Sequence, residues 1–393
     1  MSLPQQSYVS GVDRKNSLNE EIDPLLSPCK GEAIYVLRLA VSQLRQRDFS
    51  LFTLHFSLFT LHYLHPPPMK PYKFDPYLKT TLWGGYQIAP FKGIYTAQPN
   101  IGESWEISGV PGHESVAIER GIIDDVDVGM TLTQLIDKYK GLLIGNKVYK
   151  KFGNKFPLLV KFIDSRQDLS VQVHPDDKLA MERHGCAGKT EMWYVIKSDV
   201  GSKIYAGLKE SITPDEYEKL ATAEPVNGRS PMQDVIATHE AHQGDLFFLP
   251  AGRLHAIGAG CFLAEIQQTS DITYRVYDFG RVDAHGKPRE LHIEQAKDAI
   301  DYQVWPEYRT SYDSTQPTSQ LINCPYFVVH RVVVQVAQEI DFHCDSFVVV
   351  VCLWGEANIN GIKVRQGETH LVPASENVLY IFGNATFLTA HIK

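Results

Sequence analysis

What this sequence lacks narrows its class before any motif is read. Its six cysteines (Cys29, Cys186, Cys261, Cys324, Cys344, Cys352) form no C-x-x-C pair and no tight framework of the kind small secreted domains use, which fits a reducing cytoplasm. Positive charge is not in excess. With 38 Lys and Arg against 46 Asp and Glu the net charge is −8, so no general attraction to nucleic acid or an anionic membrane is expected. Any anionic substrate must be caught by a local cluster of positive groups. The one apolar stretch, Phe49 to His65, contains His55, His62 and His65 and is shorter than the ~20 residues a spanning helix needs. The opening MSLPQQSYVSGVDRKNSLNEE is polar and reads as no export signal.

What is present is strand-forming. The chain has 19 Tyr and 18 Phe, and from Tyr72 onward it runs in short apolar or alternating segments (PLLVKFID, LSVQVH, TEMWYVI, DLFFLP, CFLAEIQQ) broken by Gly, Pro and Asp. That punctuation predicts a β-sandwich or barrel. Helical patterns are few: 131–140, 213–223 with Thr213 as N-cap before Pro214, and 290–302. Two or three domains fit 393 residues. Residues 69–310 are expected to form the functional β-domain and 320–393 a smaller one without a metal, closing the cleft. Residues 1–68 stand apart, because FSLFTLH at 49–55 is repeated letter for letter at 56–62. Two copies are too few for a coiled coil, so this extension is expected to be dispensable, with the working protein starting at Met69.

The strand period of two puts Ser170, Gln172 and His174 on one face and Leu169, Val171 and Val173 on the other. In GKTEMWYVI, Lys189, Glu191 and Trp193 share a face opposite Met192, Tyr194 and Ile196. A third segment, GDLFFLPAGRLHAIGAG, turns at Pro250 and Gly252 and presents His255. Together they offer two imidazoles, a carboxylate and an amide oxygen, a mixed N/O set that suits Zn²⁺, with Mn²⁺ or Fe²⁺ as alternatives. Any one of the fifteen histidines taken alone is better read as an ordinary core or surface residue. The joint pattern of Q-x-H and P-x-G-x-x-H is what points to a metal.

SVQVHPDD, GKTEMWYVI, PAGRLHAIGAG, and the earlier LWGG and GESWEIS, resemble the type I mannose-6-phosphate isomerases, above all their compact bacterial form, most closely from Met69 to Tyr302. The resemblance implies a mainly β bicupin, two jelly-roll barrels with a few decorating helices. It implies one Zn²⁺ held by Gln172, His174, Glu191 and His255, and a hexose phosphate substrate. LAEIQQTSDITYRVYDFGR resembles a family segment with a glutamate and, ten residues on, an active-site arginine, here Glu265 and Arg275. Longer members carry a T-P-K triplet where this chain reads VYDFGR.

Aldose–ketose isomerisation moves a proton between C1 and C2 through an enediol, so it needs a base, an electrophile and a phosphate anchor. Glu265 is the expected proton-shuttling carboxylate, with Lys189 and a water on the metal as rivals. Arg275 is expected to stabilise the enediolate or hold phosphate, the alternative being a salt bridge to Asp271 or Asp278. Ser170 and Lys189 are the other expected phosphate contacts. Trp83, Gly84, Gly85 and residues 103–108 read as scaffold or cavity wall. A metal-dependent cupin oxygenase and a non-catalytic sugar-binding cupin are the competing classes. A monomer or weak homo-oligomer in the cytoplasm is expected, with neither nucleic acid nor membrane as partner.

Overall fold

The computed structural model describes residues 69–118, 126–226, 229–282, 285–376 and 378–393, so the expectation for residues 1–68 lies outside the described residues. The architecture is mainly β with a few short helices, as the sequence predicts. Two antiparallel sheets built between Tyr77 and Tyr277 carry the features that matter for function. One has six strands in the order Leu246–Leu249, Glu191–Ser198, Cys261–Gln268, Leu158–Ser165, Tyr77–Gly85, Ile101–Ile107. The other has five, Tyr274–Tyr277, Val171–Val173, His255–Ile257, Lys203–Leu208, Ile236–Glu240.

Side-chain alternation explains why these sheets face one another. Trp193, Val195 and Leu263 from the first share an apolar core with Ile204, Ala206 and Ile257 from the second. On the far side of the first sheet Met192, Tyr194, Phe262 and Ile266 pack against Leu135, Ile136 and Leu143 of a helical insertion and against Phe347 and Val349. The second sheet turns Val171 and Val173 outward onto Tyr217 and Ala296, which sit on the helices Pro214–Thr222 and Ile293–Ala299. Thr213 caps the first of these helices as expected: its hydroxyl accepts from Glu216 N, and Glu216 returns a bond to Thr213 N.

Leu169 departs from the expected face. It joins Trp83, Ile163 and Trp193 in the core between the sheets instead of Val171 and Val173 outside it. The regular strand begins only at Val171, and Leu169 N is tied separately to Ile257 O at 2.8 Å, so the period of two does not extend back to Leu169.

The C-terminal block forms a nine-stranded sheet that curls around its own core of Val332, Val350, Val364, Ile381 and Phe387. Two strands from far upstream complete it, Tyr72–Asp75 paired to Thr369–Val372 and, beyond it, Val116–Ile118. Among the described residues no helix is long and apolar enough to cross a membrane.

Candidate metal centre and cavity

His174, Glu191 and His255 arrive from three strand ends, and their ligand atoms lie within 4.8 Å of one another. The approach of those ends is fixed by backbone bonds. Gly252, at φ +89° in the turn after Pro250, donates its N–H to His174 O at 2.9 Å, which locks the turn before His255 onto the end of the Gln172–His174 segment. A Cβ at this position would meet Ala299 O at 3.0 Å, so both the conformation and the space call for glycine. Lys189 is placed by its own N–H to Pro175 O at 3.1 Å. Asp177 Oδ1 accepts from Gly188 N at 2.8 Å and from Gln268 Nε2 at 2.9 Å.

The hydrogen bonds of the two imidazoles show what the cluster is for. His174 Nδ1 lies 2.9 Å from Ile272 O and His255 Nδ1 lies 2.8 Å from Arg253 O, so each ring spends its proton on a carbonyl and turns the lone pair of Nε2 inward. His255 Nε2 faces Glu191 Oε1 at 3.2 Å, and that oxygen accepts no hydrogen bond. His174 Nε2 is 3.6 Å from Glu191 Oε2. Two imidazole lone pairs and a carboxylate therefore converge in a fully buried space beside the Lys189 ammonium, and Glu191 Oε1 facing His255 Nε2 is the acceptor pair that a metal ion would resolve. Burial, with Lys189 adding to it, pushes the His255 imidazole down to about 3 and His174 well below its usual value, so both rings are neutral ligands. Burial also raises the Glu191 carboxyl, against the pull of Lys189, whose Nζ lies 2.8 Å from Oε2 and 3.0 Å from His174 Nε2. The amide of Gln172 lies 3.4 Å from His255 Nε2, and turned about its bond it would present oxygen to the cluster. This donor set fits a divalent metal ion.

The cluster backs onto a cavity of ≈ 660 Å³ walled by Trp83, Trp105, Ser170, Gln172, Lys189, Glu265, Thr273, Arg275 and Arg289, among others. Every proposed catalytic and substrate-binding residue is thus on its wall. Among the described residues none from 320–393 lines this cavity. Arg275 does not bridge to Asp271 or Asp278. Its Nη1 donates to Glu290 O at 2.8 Å, while Asp278 is taken by Arg281 and Arg289.

The sequence reading missed Lys161, which is buried between two carboxylates, 3.1 Å from Glu265 and 3.6 Å from Glu103. Each carboxylate is also held by an indole, Trp193 Nε1 to Glu265 at 2.9 Å and Trp105 Nε1 to Glu103 at 2.8 Å. Burial works to raise Glu265, but Lys161, Lys189 and Trp193 together hold it well below the usual carboxylate range. The signal for Lys161 was a lysine in the middle of the run PLLVKFID, where a strand buried on both faces has no solvent to offer it.

Comparison with known proteins agrees with this picture. A family model described as phosphomannose isomerase type I, catalytic domain, matches residues 72–200. A mannose-6-phosphate isomerase of Streptococcus mutans is 32% identical over 325 residues, covering 79% of this chain and 94% of that protein. Mannose-6-phosphate isomerase ManA of Bacillus subtilis is 31% identical over 331 residues, covering 82% and 99%. The crystal structure of the Bacillus subtilis mannose 6-phosphate isomerase matches with a TM-score of 0.72 at 28% identity, over 82% of this chain and all of that one.

Proposed function

The chain belongs to the type I phosphomannose isomerase family of aldose–ketose isomerases, and from that premise we propose that it interconverts D-mannose 6-phosphate and D-fructose 6-phosphate with one zinc ion at its metal centre. One observation carries the reading: two inward-turned imidazoles and a buried carboxylate converge at the back of a cavity whose wall also holds Lys189, Glu265 and Arg275. A binding module would have no need of these three.

His174, Glu191 and His255 would hold the zinc, with Gln172 as fourth ligand. Bound there, zinc supplies Lewis acidity for the sugar carbonyl and the charge that develops on it. The remaining work falls to the chain's own residues. Glu265, kept ionised by Lys161 and aimed by Trp193, takes the proton from one carbon and returns it to the other. Lys189, beside Glu191, supplies a proton or positive charge at the sugar oxygens. Arg275 holds a fixed positive charge across the cavity, and Ser170 offers a hydroxyl to the substrate. The walls of Trp83 and Trp105 exclude water, which strengthens each of these interactions.

The test is a coupled assay of mannose 6-phosphate conversion, with and without a chelator, on the wild type and on Arg275→Ala. Activity should be lost on chelation, restored by zinc, and strongly reduced in the variant. Full activity in both the chelated and the substituted enzyme would overturn the proposal.

A further inference from the structure

The cavity contains an arginine that the family motifs quoted above do not reach. Three guanidinium groups gather around the buried Asp278, and they are not equivalent. All three nitrogens of Arg281 are engaged, Nε and Nη2 by Asp278 and Nη1 by Asp168 O. Arg289 gives Nε, at 2.7 Å, and Nη2 to the same carboxylate, and no described residue takes its Nη1. It lines the cavity, whereas Arg281 does not. Arg275 gives Nη1 to Glu290 O and is left with a buried Nε that has no partner. A buried, unpaired guanidinium N–H is costly and marks a place where an acceptor belongs.

The spacing between Arg275 and the His255 end of the metal-ligand cluster bears on this. Arg275 pairs across strands with Gln172, and Gln172 with His255, so the three share one row and one face of the sheet. Two strand spacings, roughly 10 Å, separate the arginine from the histidine. That is about the reach of an open six-carbon chain from its carbonyl to a phosphate at the far end. Lys189 is a poor candidate for that end, being already paired with Glu191 at the metal cluster.

We infer that Arg289, held in place by Asp278, forms with Arg275 the seat for the phosphate group of the substrate. This rests on the hexose-phosphate reading above. Asp278 is then a positioning residue: by engaging one edge of Arg289 it points the other edge into the cavity, and a planar fork of this kind matches phosphate oxygens.

The experiment compares wild type, Arg289→Gln, Arg289→Lys and Asp278→Asn by KM and kcat for mannose 6-phosphate, by competitive inhibition with inorganic phosphate, and by zinc content. In Arg289→Gln, KM and the phosphate inhibition constant should rise together by about tenfold or more, with kcat and zinc content little changed. Arg289→Lys should recover part of that loss, and Asp278→Asn should show a smaller rise in both constants. Wild-type phosphate inhibition in Arg289→Gln, or in Arg289→Lys should the first variant not fold, overturns the inference. So does a raised KM without weakened phosphate inhibition. If the wild type binds phosphate calorimetrically through Arg289 yet does not isomerise mannose 6-phosphate, the isomerase reading fails and the phosphate seat stands.

Discussion

Lys161 lies 3.1 Å from Glu265, with side chains only 8% and 3% exposed. Glu103 approaches the same ammonium at 3.6 Å, so one buried cation serves two buried carboxylates. Burial alone would lower the Lys161 pKa, but Glu265 and Glu103 reverse this and raise it above its ordinary value. Replacing Lys161 with Met would leave Glu265 buried without its nearest counter-charge, while Glu103 would keep Lys79 at 3.3 Å. The expected cost is about 3–5 kcal/mol, read as a lowered urea midpoint. An unchanged midpoint would mean that water already reaches the pair.

Glu265→Gln keeps the shape and an acceptor for Trp193 but removes the proposed base. Its kcat/KM should fall by roughly 10²–10⁴-fold with zinc content preserved. Retention of activity within a few-fold would move the proton transfer to Lys189.

Much of this site was legible in the sequence because strand alternation is a strong constraint. Met192, Tyr194 and Ile196 pack outside the first sheet while Glu191 and Trp193 point inward, as the period of two requires. Two kinds of information were not local. Lys161 and Glu103 meet only because Leu158–Ser165 and Ile101–Ile107 pair, with Trp105 opposite Lys161. Arg289 enters the cavity through a bond to Asp278, 11 residues back, and the sequence between them has no periodicity to read. The upstream strand Tyr72–Asp75 joins the C-terminal sheet for a related reason: Tyr72 and Phe74 can be buried only where a partner strand exists, and pairing of Tyr72 with Leu371 spans nearly the whole described chain.

Metal removal should be felt as stability as well as activity. Without a metal ion, the buried His255 Nε2 lone pair faces Glu191 Oε1 at 3.2 Å, and only Lys189 offsets the charge of that carboxylate. Added zinc should raise the melting temperature of chelated wild type, by the equivalent of about 2.7 kcal/mol at a hundredfold excess over Kd. His174→Ala should lose most of this response in a thermal-shift titration. An equal response in both would place the zinc elsewhere.

Acid sensitivity should come partly from the C-terminal sheet. His391 stacks on His330 at 5.9 Å and packs against Phe342, and burial with the neighbouring His330 lowers its pKa from 6.5 to about 4. Between those values the unfolded chain binds a proton that the folded chain refuses. Stability therefore falls as pH drops from about 6.5 to 4, by at most about 1.4 kcal/mol per pH unit for this residue. His391→Phe should show a shallower decline in urea midpoint over that window. Parallel curves for the two proteins would assign the acid sensitivity to other groups.

A chain beginning at Met69 should keep full activity. The repeated FSLFTLH at 49–55 and 56–62 lies upstream of every residue assigned to the site, and the relatives from Streptococcus mutans and Bacillus subtilis cover 79% and 82% of this chain while being covered to 94% and 99% themselves. The first strand among the described residues starts at Tyr72, and the segment just before it is anchored within the same fold, with Lys70 Nζ donating to Asn360 O at 3.2 Å. Wild-type kcat/KM and melting temperature are the expected results for the shortened chain. A loss of either would assign the upstream segment a part in folding or catalysis, and restoring residues 63–68 alone would then show whether the YLHPPP stretch or the duplicated repeat supplies it.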